Sequence, residues 1–294
     1  MKRALTGVGV ALVTPFTRDG KVDFAGLGRL VDYVIENGVD YIVSLGTTAE
    51  TVTLDRTERD AVAAFIVEHN AGRVPLVAGC GGNCTAEVVR MLDGSDLSAF
   101  SAILSVTPYY NRPSQRGLYE HYKVIAAESP VPVILYNVPS RTGVNMTAET
   151  TLRIAREIPN VIGIKEACGK FEQMEELLAG RPEGFRVISG DDSMALGLVR
   201  RGGDGVISVA ANVFPRDFTR CVKLAFEGRH AEAETLYTHL SEAIHALFEE
   251  GNPTGVKSAL AVKGMIEPVL RLPLVEGSPA LMEKFKKLVV KYEL

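Results

Sequence analysis

The 294-residue chain has only four cysteines, Cys80, Cys84, Cys168 and Cys221, and only the first two are close together. Three residues separate that pair, not the two of redox and zinc hairpins, so these read as reduced thiols of a cytoplasmic protein. The histidines, His69, His121, His230, His239 and His245, fall at no metal-ligand spacing. No block of one charge appears: 32 basic and 36 acidic residues give a net charge of -4. Neither nucleic acid nor an anionic membrane is therefore indicated as a partner. No apolar run reaches the ~20 residues that span a bilayer. The opening "ALTGVGVALV" follows Lys2 and Arg3 as a secretory leader would, but Gly7 and Gly9 interrupt it and Pro15 ends it. No small-residue cleavage site follows, and the stretch reads as a first strand. "GCGGNC" lacks the last glycine of a dinucleotide fingerprint, and no phosphate-binding lysine loop is found.

What is present is enough for a large core, with 46% apolar and 23% charged residues. Strand-like runs alternate with helix-like segments. The runs are "GVGVALV" (7–13), "VDYIVSL" (39–45), "VPLVAG" (74–79), "SAILSV" (101–106), "VPVILY" (131–136), "VIGIK" (161–165), "FRVIS" (185–189) and "GVISVA" (205–210). Most are continuously apolar, as parallel strands covered on both faces must be. The amphipathic "TERDAVAAFIVEHNAG" opens at a cap candidate, Thr57, and closes at Gly72, and Thr147 similarly caps "TAETTLRIAREIPN". Eight such units in about 225 residues match a (β/α)₈ TIM barrel, with a doubly wound open sheet as the rival. After the eighth run the strand signals stop, which predicts a catalytic barrel over 1–227 and an all-helical C-terminal appendage over 228–294.

In such a barrel the residues that finish each strand are the informative ones. The second run ends in "GTTAE", the fourth in "TPYYN", the fifth in "YNVPSRTG", the sixth at Lys165 and the seventh in "SGDD". A strand-end lysine ordinarily snorkels to solvent. Among apolar walls it loses hydration of its charge, and the neutral amine can attack a carbonyl carbon. Tyr136, one strand away, can give and take the protons that imine formation needs. Thr47 and Thr48 either cap the following helix or hold a small carboxylate. Tyr109 and Tyr110 are core or interface aromatics unless the site uses them, and Arg141 is a solvated loop charge or a bidentate carboxylate anchor. From the residues alone this is a cofactor-free lysine aldolase.

At these positions the chain resembles the pyruvate-dependent aldolases typified by the dihydrodipicolinate synthase family. The likeness runs over nearly the whole chain, through "GVGVALVTPF", "GTTAE", "TPYYNRPSQRGLYEHY", "YNVPSRTG", "GIKEA", "SGDD", "GVISVAANV" and "NPTGVKSAL". The resemblance implies that Lys165 forms the Schiff base with pyruvate and that Tyr136, Thr47 and Tyr110 make a proton relay, Tyr110 coming from a neighbouring subunit of a homotetramer. It implies that Arg141 binds the carboxylate of L-aspartate 4-semialdehyde, that Thr48 holds that of pyruvate, and that Gly190 and Ile207 line the pocket. No metal or organic cofactor is implied. Ala49 departs from the family's "GTTGE", and a positive φ there would strain it.

In family members inhibited by lysine, the effector sits on side chains matching Asn83, Glu87 and Tyr109. Arg56 and Arg59 stand where some of these have histidines, and a fixed cation opposes a cationic effector, so weak or absent inhibition is expected. The rival functions are an aldolase taking another aldehyde, of the N-acetylneuraminate lyase or 2-keto-3-deoxy sugar acid type, a pyridoxal phosphate enzyme, and a non-catalytic metabolite-binding barrel. The first would abandon Arg141, the second needs a phosphate cradle, and the third would dispense with Lys165 or Tyr136.

Overall fold

The computed structural model describes residues 5–292. Eight parallel strands follow one another in chain order as a closed barrel: β1 (Gly7–Ala11), β2 (Tyr41–Ser44), β3 (Leu76–Gly79), β4 (Ala102–Val106), β5 (Val133–Asn137), β6 (Val161–Glu166), β7 (Arg186–Ser189) and β8 (Gly205–Ser208). All eight expected runs are strands, most of them trimmed at the ends. At β8 the apolar run outlasts the strand, because Val209 and Ala210 are buried but cap and open a 3₁₀ turn over Ala210–Asn212. No helix among the described residues is long and apolar enough to cross a membrane.

By its contacts the chain divides into two compact units, one built on Pro75–Ile207 and the other on Gly7–Val74 with the chain from Ser208 onward. In the first, β3 to β7 and most of β8 carry buried aliphatic residues such as Val77, Ile103, Ile134, Ile164 and Val187. Helices Thr85–Asp93, Gln115–Glu128, Ala148–Glu157 and Phe171–Gly180 alternate with these strands. Thr147 caps Ala148–Glu157 as expected, accepting the Thr150 amide at 3.3 Å.

The second unit holds β1, β2 and the helices Phe24–Glu36, Arg56–Asn70, Pro215–Phe226, His230–Ala246, Thr254–Val262 and Pro279–Tyr292. Helix Arg56–Asn70 does not begin at Thr57. Asp55 caps it, and Asp55 and Glu58 satisfy each other's backbone amides as a capping box. Glu50 and Lys257 form an ion pair whose side chains are both 0% exposed. Lys257 also donates to the Val269 carbonyl at 3.0 Å and lies 4.1 Å over the Phe16 ring. Burial pulls the Lys257 ammonium below the ordinary lysine range, and the Glu50 carboxylate opposes that pull. Lys257→Met alone is expected to lower stability by about 3–5 kcal/mol, because it strands a buried carboxylate. Adding Glu50→Gln should recover most of that loss, and urea midpoints of the two variants check it.

Candidate functional site

Lys165 and Tyr136 are register partners on neighbouring strands, near the C-terminal ends of β6 and β5. Side chains alternate along a strand, so paired residues share a face. Lys165 is 6% and Tyr136 7% exposed, and the Lys165 Nζ lies 4.4 Å from the centre of the Tyr136 ring. The ring's negative face receives the ammonium, and neither charge nor phenol is lost to bulk water.

Gly190 follows β7 and donates its amide to the Glu166 carbonyl at 2.7 Å. A methyl group there would sit 2.7 Å from Ala167 Cβ and 3.0 Å from Lys165 Cε, so only glycine lets this backbone pass the lysine stem. Ile207 is buried within β8. Arg141 is exposed in the short helical turn Pro139–Thr142, which ends at Gly143 with a φ of 74°. The Thr142 carbonyl accepts the Tyr110 amide at 3.4 Å, tying the segment after β4 to this turn. Tyr110 itself has a φ of 74° and is 89% exposed, a bulky residue held in the left-handed region with its ring in solvent.

Thr47 and Thr48 lie in a 3₁₀ turn, Thr47–Ala49, directly after β2. Thr47 is exposed and Thr48 is buried. The Thr48 hydroxyl accepts from Asn252 Nδ2 at 2.9 Å, which leaves its own O–H to donate. Ala49 carries no strain, because the left-handed residues of this segment are Leu45 and Glu50, at φ 54° and 52°. Glu50 is fixed there by Lys257 and by the Arg271 amide, which donates to its second oxygen at 3.0 Å. The expectations named none of Asn252, Lys257 and Arg271.

Of the effector residues, Asn83 is half-buried and its carbonyl accepts Asn111 Nδ2 at 2.9 Å, while Tyr109 and Glu87 are exposed. Glu87 pairs with Arg90, one turn along helix Thr85–Asp93, and Arg56 pairs with Asp60 at 3.7 Å. The cation beside Glu87 is thus Arg90, a local i,i+3 neighbour. An outward-facing polar cluster was also not foreseen: Asn137 and Glu166, each 0% exposed, with Gln173 hydrogen-bonded to the carboxylate at 2.9 Å.

Fold and side chains together define a class, a (β/α)₈-barrel enzyme of the aldolase type, with an amine and a phenol in contact at neighbouring strand ends. The model of the dihydrodipicolinate synthetase family matches residues 4–292, and the chain belongs to that family. It is 51% identical over 285 residues to the 4-hydroxy-tetrahydrodipicolinate synthase of Parabacteroides distasonis, covering 97% of this chain and 96% of that protein. The enzyme of the same name from Phocaeicola vulgatus is 50% identical over the same shares. The crystal structure of dihydrodipicolinate synthase from Aquifex aeolicus matches with a TM-score of 0.95 at 41% identity, over 99% of both chains.

Proposed function

We propose that this chain condenses pyruvate, held as an imine on Lys165, with L-aspartate 4-semialdehyde to give 4-hydroxy-tetrahydrodipicolinate, on the way to diaminopimelate and lysine. The observation that carries the proposal is Lys165 buried against Tyr136 at 4.4 Å. The name shared by the half-identical relatives supports the choice of substrates.

The Lys165 amine adds to the pyruvate ketone carbon and water leaves, giving an iminium. The iminium is an electron sink, so a methyl proton departs and an enamine forms. The enamine carbon bonds to the aldehyde carbon of the semialdehyde, and the oxygen takes a proton. The amino group of the condensed product then displaces the Lys165 amine by transimination, and the ring closes. Tyr136, Thr47 and Tyr110 carry the protons, Thr48 donates its free O–H to the pyruvate carboxylate, and Arg141 takes the semialdehyde's carboxylate. Gly190 and Ile207 present backbone to the pocket. No metal or organic cofactor takes part, and the enzyme works in the cytoplasm.

Incubation with pyruvate and borohydride tests this. Intact mass should rise by one reduced pyruvyl group, and peptide mapping should place it on Lys165 alone. No adduct would overturn the assignment. An adduct without turnover of L-aspartate 4-semialdehyde would point to another aldehyde.

The enzyme is proposed to act as a homotetramer in which Tyr110 completes a neighbour's relay. Its 89% exposure and constrained backbone suit a side chain presented to a second copy. Mixing Tyr110→Phe with Lys165→Ala chains should regain activity that neither shows alone, whereas a fully active monomer would contradict the arrangement. Free lysine is proposed to inhibit weakly or not at all, because Arg90 already offsets the Glu87 charge that a cationic effector needs. At saturating pyruvate the inhibition curve should stay nearly flat up to about 1 mM lysine.

A further inference from the structure

Glu166 follows Lys165, and Asn137 follows Tyr136, so the next register pair of β6 and β5 points to the opposite side of the sheet. There the Glu166 carboxylate is 0% exposed and meets donors only. Asn137 Nδ2 reaches its two oxygens at 3.0 and 3.1 Å, the Cys168 amide one of them at 2.8 Å, and Gln173 Nε2 the other at 2.9 Å. Burial raises the carboxyl above its ordinary range, against the downward pull of these amides. An acid kept at such a place needs a reason beyond stability, since an apolar replacement of a buried polar cluster is often neutral.

The same amides close a loop. Asn137 Oδ1 accepts the Met146 amide at 3.0 Å, and its Nδ2 is shared with Asn145 Oδ1 at 2.8 Å. Gln173 donates to the Met146 carbonyl at 3.0 Å and accepts from Asn145 Nδ2 at 2.8 Å. The segment that leaves β5 after Asn137 is therefore pinned at its far end, at Asn145 and Met146, by side chains that Glu166 orients. That segment is the turn bearing Arg141, and its Thr142 carbonyl receives the Tyr110 amide.

We propose that Glu166, acting through Asn137 and Gln173, is a positioning residue that sets the Arg141 turn, and with it the recognition of the carboxylate on the aldehyde substrate. The proposal rests on the role given to Arg141 above. Glu166 touches neither substrate, and the imine on Lys165 does not depend on it.

Glu166→Gln is the sharpest variant, because it turns one acceptor oxygen into an N–H₂ facing other N–H groups. The KM for L-aspartate 4-semialdehyde should rise about tenfold or more, the scale of one lost hydrogen bond to a charged group. The KM for pyruvate and the rate of borohydride trapping should stay within about twofold. Amide exchange across 138–146 should quicken while β5 and β6 stay protected. Gln173→Glu added to Glu166→Gln returns one carboxylate and one amide to the cluster and should regain part of the aldehyde affinity. If Glu166→Gln does not fold, Gln173→Met at the half-buried rim should show the same split.

Unchanged exchange over 138–146 would overturn the proposal, as would an unchanged aldehyde KM or pyruvate trapping that falls in step with it. A parent enzyme that fails to trap pyruvate would instead sink the function proposed for the chain, and this positioning role with it.

Discussion

Condensation activity is expected to vanish in Lys165→Ala, by at least about 10⁵-fold, the scale of removing a nucleophile held in place beside its substrate. The other lysines that are not exposed are committed elsewhere: among the described residues, Lys257 is engaged by Glu50, Lys263 by Tyr33, at 2.7 Å, and the Val213 carbonyl, and Lys284 by Glu249. Lys165→Met is the cleaner companion, since it keeps an unbranched stem against Tyr136 and removes only the amine. Taking a 6% exposed cation out of the core removes a desolvation penalty, so the urea midpoint of Lys165→Met should equal or exceed that of the parent. Lost activity with retained stability separates a chemical role for Lys165 from a structural one. Residual turnover above about 1% in either variant would mean that the reaction does not pass through an imine at this residue.

Lys165 and Tyr136 were legible because each ends an apolar run, and in a barrel built in chain order successive runs are neighbours. Continuous apolarity located all eight strands, but it reports burial rather than extended backbone. Val209 and Ala210 are as apolar as β8 and still fold into a 3₁₀ turn. At the second helix two adequate caps lie two residues apart, and reciprocal bonding with Glu58 selects Asp55 over Thr57.

The features without a sequence signature are polar pairs distant along the chain. Glu50 and Lys257 are 207 residues apart, and Asn137 and Glu166 are 29 apart, so no period marks either pair. The available signal was a charge where the pattern called for none, a glutamate finishing "VIGIKE" and a lysine inside "TGVKSALAV". A buried charge must find a partner, which makes each such residue half of an undiscovered pair. For Glu87 the partner is short in range. Arg90, three residues along the same helix, pairs with it, and i,i+3 spacing alone would have pointed there.

Tyr136→Phe is expected to slow turnover by roughly 10²-fold or more, the scale of losing a general acid–base group. The substitution is conservative in every other respect. The phenyl ring still fills a site that is 7% exposed and still offers its face to the Lys165 ammonium, so the fold and the lysine's position should persist. Only the hydroxyl goes, and with it the group proposed to give and take protons as the carbinolamine loses water and as the new alkoxide forms. The loss should therefore fall on kcat, with the KM for pyruvate little changed, because the carboxylate of pyruvate is assigned to Thr48 instead. Borohydride trapping offers an independent view of the first half-reaction. With Phe at 136 the adduct on Lys165 should form more slowly yet reach the parent's final yield, since water can carry the protons inefficiently while the amine remains. A fall in turnover of less than threefold would remove Tyr136 from the proton path. A normal trapping rate alongside slow turnover would confine its role to protonating the alkoxide.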